Sequence, residues 1–136
     1  SLSLASQLDS ELREACANSD SKSVKSLLRD GANPNAKGES PDDPNETPLH
    51  LSCIRGDVSI VNALIEAGAI VDARATGPAS LRMTPMTWCA YGGHDDAVYS
   101  LLKAGANPNL VVDEENGLTL TALDIAYRVG DNFGGR

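Results

Sequence analysis

The sequence predicts an all-α repeat solenoid, a stack of helix-turn-helix units that carry long protruding loops. Two landmarks in one register predict it. Thr47-Pro48-Leu49-His50, Thr84-Pro85-Met86-Thr87 and Thr121-Ala122-Leu123-Asp124 begin at positions 47, 84 and 121, a constant step of 37. The glycines of Asp30-Gly31-Ala32, Ala67-Gly68-Ala69 and Ala104-Gly105-Ala106 keep the same step. Between each threonine and the next glycine lie two amphipathic segments split by a short turn. A fixed period of this size marks units that bury their apolar faces only against their neighbours.

Each element follows from local chemistry. Thr47 and Thr84 suit the N-cap of a first helix, and Pro48 and Pro85 suit its opening position, where no backbone N–H is needed. A turn such as Gly56-Asp57 then leads into a second helix. That helix carries Ile60, Val61, Leu64 and Ile65 at helical spacing, with Ala97, Val98, Leu101 and Leu102 one unit later and Ser23, Val24, Leu27 and Leu28 one unit earlier. Its closing glycine can take the left-handed conformation that ends a helix.

Shifting the landmarks back by the same step places Leu12 under Leu49 and Ala15-Cys16-Ala17 under Ser52-Cys53-Ile54, which predicts a divergent first unit. Shifting them forward makes Thr121 to Gly130 the first helix of a fourth. The expected organisation is one domain over 1–136, with units at about 1–35, 36–72 and 73–109 and a truncated unit at 110–136. The array is then cut short or completed by something else, and Leu123, Ile125, Ala126 and Val129 lack the second helix that would cover them.

Composition narrows the function. The 136 residues include 11 basic and 19 acidic side chains, a net charge of −8 that repels a phosphate backbone and favours a protein partner with basic patches. No apolar run approaches the roughly 18 residues of a membrane span. Cys16, Cys53 and Cys89 cannot all pair within the chain and show no metal-ligand spacing, so they are read as tight-packing residues in a reducing, intracellular compartment. His50 and His94 form no dyad or metal cage in an open array, and Gly92-Gly93 and Gly134-Gly135 follow no strand that would make a phosphate loop. The reading is non-catalytic, with no cofactor and no metal.

These motifs resemble the ankyrin-repeat family, whose units carry T-P-L-H and a closing G-A-D-V-N-type stretch. The latter stands here as Gly31-Ala32-Asn33-Pro34-Asn35, Gly68-Ala69-Ile70-Val71-Asp72 and Gly105-Ala106-Asn107-Pro108-Asn109. Ankyrin units are typically about 33 residues long, and the surplus here falls between each glycine and the next threonine. The resemblance implies that this stretch is a β-hairpin finger, lengthened in all three cases. It also implies that His50 braces neighbouring units, and that Asn35, Asp72 or Asn109 is a candidate for hydroxylation.

The fingers span 36–46, 73–83 and 110–120 and differ in charge while the helices stay alike. Finger one carries Lys37 against Glu39, Asp42, Asp43 and Glu46; finger two carries Arg74 and Arg82; finger three carries Asp113, Glu114 and Glu115. Variation on a constant scaffold is where a binding module stores specificity, although Arg74 and Arg82 can equally pair with flanking carboxylates. In the family the residues just before the inter-helix turn commonly face a partner, which nominates Ile54, Arg55, Tyr91, Arg128 and Val129. Trp88 aligns with Leu51 and is expected to be partly buried. The functional expectation is a protein-protein interaction module or adaptor. Its alternatives are a subunit held permanently in a larger complex and a targeting or regulatory domain of a longer enzyme.

Overall fold

A computed structural model of the chain describes residues 3–38, 40–78, 80–113, 116–117 and 119–132, with side chains to Tyr127 in the last helix. Seven helices follow in order: α1 (Leu4–Ala17), α2 (Ser21–Arg29), α3 (Pro48–Arg55), α4 (Val58–Glu66), α5 (Pro85–Tyr91), α6 (Asp95–Lys103) and α7 (Ala122–Asn132). They form two parallel rows. First helices stack as α1 on α3, α3 on α5 and α5 on α7; second helices stack as α2 on α4 and α4 on α6. Each of the first three pairs also packs internally.

Side-chain caps start most of the helices. Asp20 and Asp57 accept from Ser23 N and Ile60 N at 3.2 and 3.3 Å, each satisfying one of the orphan N–H groups of a helix start. Thr47 and His50 form a capping box, with Pro48 at the first helical position. Thr84 occupies the same place before α5, but its hydroxyl makes no cap bond.

The second helices all end in one way. Gly31, Gly68 and Gly105 sit at φ of about +100°, which L side chains avoid. The N–H groups of Ala32, Ala69 and Ala106 then reach back to the carbonyls of Leu27, Leu64 and Leu101 at 3.0 Å, closing a Schellman motif. The three alanines and three leucines all lie in or against the core, so the stop signal is also a packing contact.

The core is a ladder of register equivalents. Leu12, Leu49 and Met86 line one row and Val24 and Val61 another, all buried. Loops stack as well: Asn35 accepts from Ile70 N at 2.8 Å and Asp72 from Asn107 N at 3.1 Å. Each side chain so clasps the next pair's loop.

Two expectations are corrected. Among the described residues the fingers contain no strand. Pro41 and Pro44 remove N–H donors from finger one and Pro78 removes one from finger two. Single cross-arm bonds remain, from Ala75 N to Met83 O at 3.0 Å and Val112 N to Leu120 O at 2.9 Å, and others tie neighbouring fingers, with Gly77 N donating to Pro44 O at 2.8 Å and Asp113 N to Leu81 O at 2.9 Å. The second correction concerns cysteine. Cys53 and Cys89 are joined as a disulfide between α3 and α5, with Cα atoms 4.6 Å apart, and Cys16 is a buried free thiol. Cys89 lies one residue earlier in the register than Ala90, the equivalent of Cys53, and this offset turns it toward Cys53 across the helix contact.

Candidate functional site

The face made by the first helices carries the exposed apolar and aromatic groups that sequence reasoning nominated. Ile54 is 41% exposed and Tyr91 56%. They occupy equivalent positions at the ends of α3 and α5, which pack side by side. Arg55 is exposed next to Ile54. Trp88, one turn before Tyr91, is half-buried against the core and meets the Tyr91 ring edge-on, with centroids 6.1 Å apart and planes at 71°. This geometry suits the aromatic quadrupoles and fixes both rings.

The turn beside the patch is closely packed. Gly56 ends α3 at φ +77°, and the His94 ring lies where a Cβ on Gly56 or Gly92 would have to stand. His94 Nε2–H donates to Ile54 O at 3.3 Å. The imidazole is thus a spacer between two turns.

His50 is buried deeper. Its Nε2 lies 2.7 Å from Met83 O, and a carbonyl can only accept, so Nε2 carries the proton. Nδ1 then accepts from Thr47 N at 3.1 Å and from the Thr47 hydroxyl at 2.8 Å. Burial pushes its pKa down to about 4, because the charged form is disfavoured away from water. The ring is neutral at pH 7 and works as a brace.

Arg13 performs the same task one pair earlier, a role the sequence analysis did not assign to it. It occupies the register position of His50, and its Nη1 donates to Glu46 O, the equivalent of Met83 O, at 3.2 Å. Its other nitrogen pairs with Asp43 at 3.4 Å. Burial also raises the Glu46 carboxyl above its ordinary range, opposed by the Trp88 indole, which approaches without reaching hydrogen-bond geometry, and by Arg13.

The finger residues divide into free and internal groups. Asp42 is exposed. Asp43 is held by Arg13, and Arg82 is half-buried. Arg74, expected at a finger surface, instead donates to Arg82 O at 3.0 Å and Val111 O at 2.8 Å. Its Nη1 thus ties two backbone carbonyls of neighbouring fingers together. Asp113, also expected to be exposed, is buried and accepts from Asn116 Nδ2 at 2.7 Å. Glu39, Glu114 and Glu115 lie outside the described residues, as do the side chains of Arg128 and Val129. Ile54, Arg55, Trp88 and Tyr91 are therefore the group the fold brings together.

Among the described residues no cluster of three or more His, Cys, Asp or Glu is placed to hold a metal ion, and no helix is long and apolar enough to cross a membrane. Burial raises the Cys16 thiol to about 11, so it stays protonated at neutral pH. A family model for ankyrin repeats, in three copies, matches residues 12–112. No curated protein matches the chain.

Proposed function

The chain belongs to the ankyrin-repeat family, whose repeats are generally non-catalytic protein-interaction modules, and from that premise we propose that it is an adaptor gripping a protein through the ends of α3 and α5. The carrying observation is the exposed Ile54-Arg55-Tyr91 patch with Trp88 set beneath it. Aromatic, apolar and Arg side chains of this kind are over-represented among the few residues that dominate interface energies. The edge-on Trp88 and the His94 spacer hold the patch in one geometry, which reduces the ordering cost on binding.

Charge indicates the partner. The chain carries a net charge of −8, and Asp42 stands exposed on finger one, so a basic protein surface is attracted and nucleic acid repelled. Arg55 then serves as a local anchor within an acidic field. The absence of chemistry in this reading rests on the two most chemically versatile buried groups: His50 is neutral with both nitrogens engaged, and Cys16 is a protonated thiol with no exposure.

The experiment is quantitative affinity purification with the native chain, Tyr91→Ala and Arg55→Ala, each verified by circular dichroism and thermal melting. A companion protein is expected to be retained by the native chain and depleted at least about tenfold by each variant, since a hot-spot truncation costs about 2 kcal/mol or more and about 1.4 kcal/mol is tenfold. Identical companions in all three samples, with melting unchanged, overturn the proposal.

A further inference from the structure

Asn116 is the one asparagine of the chain that precedes a glycine. That pair carries a chemistry of its own. With no side chain on the next residue, the following backbone nitrogen can close on the asparagine Cγ without steric obstruction. Here both residues are exposed on finger three, Gly117 sits at φ +83°, and its N–H donates to no acceptor among the described residues. The attacking nitrogen is therefore uncommitted and open to water.

The amide it would attack has a structural task. Asn116 Nδ2 donates to Asp113 Oδ2 at 2.7 Å, and Asn116 N donates to Asp113 O at 3.0 Å. Asp113 is 7% exposed, and its other carboxylate oxygen is buried with no hydrogen-bond partner. A single side-chain donor thus serves a buried carboxylate, and a buried polar group stripped of its partner is costly. Asp113 in turn fixes the neighbouring finger, since its N–H donates to Leu81 O at 2.9 Å. Leu81 and Arg82 lie at φ +55° and +50°, a region that L side chains adopt at a cost. Their carbonyls are held from outside the turn, Leu81 O by Asp113 N and Arg82 O by Arg74 Nη1.

We propose that Asn116 is a deamidation site and that its conversion to a carboxylate unlatches finger three from finger two. The Gly117 nitrogen forms a bond to Asn116 Cγ, the Cγ–Nδ2 bond breaks, and the proton from Gly117 leaves with the amide nitrogen as ammonia. Water then opens the cyclic imide at either carbonyl, giving aspartate or isoaspartate. Water is the only co-reactant. In either product a donor has become an anion beside the buried Asp113 carboxylate. Like charges this close disfavour each other strongly, so the Asp113 turn opens and its hold on Leu81 O is lost. The strained Leu81–Arg82 turn then relaxes. None of Ile54, Arg55 or Tyr91 takes part, so this inference and the adaptor reading stand or fall independently.

The test follows mass and hydrogen exchange in the full chain. The native chain is held at mildly alkaline pH beside a reference peptide of residues 112–120, and peptide mapping by mass spectrometry follows the change from amide to aspartate and isoaspartate. Asn116 is expected to convert at a rate within about tenfold of the peptide's, as an exposed loop position allows, while Asn116→Gln stays unconverted. Hydrogen exchange at 80–83 and 112–113 is expected to be at least fivefold faster in Asn116→Asp than in the native chain, with α3 and α5 unchanged. Asn116→Ala, which loses the donor without adding a charge, should fall between the two. The exchanged pair, Asp113→Asn with Asn116→Asp, again sets a donor against an acceptor and should return exchange to the native rate. Retention of the Asn116 amide long after the peptide has converted overturns the inference. So does native exchange in Asn116→Asp, or failure of the exchanged pair to recover it.

Discussion

Acidification is expected to loosen the stack through one residue, His50. Its ring is protonated at about pH 6.5 in the unfolded chain but only at about 4 in the folded one. Between those values the unfolded state binds the extra proton, so this part of the stability is fully present above pH 6.5 and is lost as pH falls toward 4. From pH 7 to 5 the loss is about 2 kcal/mol, and the full shift is worth about 3 kcal/mol. The physical event is loss of one bond, since the Thr47 hydroxyl can turn from donor to acceptor and the backbone N–H cannot. A proton on Nδ1 converts it to a donor, and it then confronts Thr47 N, itself a donor, while Nε2 keeps Met83 O. The assay is urea unfolding of the native chain and His50→Gln at pH 7 and pH 5. Other titrating groups cancel in the comparison. Among them is Glu46, whose raised carboxyl works in the opposite sense, losing stability as pH rises. The native chain should lose about 2 kcal/mol more than the variant on acidification. Equal losses within about 0.5 kcal/mol, or an NMR titration placing the His50 ring above pH 6, refute the reasoning.

Reduction of the Cys53–Cys89 bond reopens a loop with a sequence separation of 36, and in the chain-entropy picture removes about 4 kcal/mol. Thermal melting of the native chain should drop by about 10–15 °C on adding a phosphine reductant, whereas Cys89→Ala should be indifferent to it; identical melting in both conditions contradicts this. Arg13→Ala removes the bond to Glu46 O and the pairing with Asp43 and is expected to cost about 1–2 kcal/mol by urea unfolding, with a loss under about 0.3 counting against the brace. Leu64→Ala, at a site with no exposed surface, should cost about 2–5 kcal/mol, and Leu102→Ala, at the open edge, under about 1, so a reversed order would remove the assigned stacking.

The helical stack was legible because its determinants are local and repeated. A threonine cap, a proline at the first helical position and a left-handed glycine each declare themselves within four residues, and one spacing ties them together. The fingers were not legible in the same way. A hairpin ladder needs N–H donors on both arms, and Pro41, Pro44 and Pro78 withdraw three of them, leaving single cross-arm bonds and bonds to the adjacent finger that no single-segment pattern encodes. Arg74 reads as surface charge in the sequence, yet its guanidinium is committed to the carbonyls of Arg82 and Val111. The one-place offset of Cys89 was visible, but that it turns the sulfur toward Cys53 depends on α3 lying against α5. Arg13 was legible in principle, since it shares a register position with His50; the change of residue type hid the shared task. In the candidate site, the proximity of Ile54 and Tyr91 followed directly from the period. The Trp88–Tyr91 ring contact and the His94 spacer required the packed helices.

The most direct trial of the central claim is a hydrogen-exchange footprint of the chain with the companion protein that Tyr91→Ala fails to retain. The account places new protection at residues 54–56 and 88–93, on the ends of α3 and α5, and leaves the outer turns of α4 and α6 at 62–66 and 99–103 unchanged. Protection confined to those outer turns, with the Ile54 and Tyr91 segments exchanging as in the free chain, would contradict it.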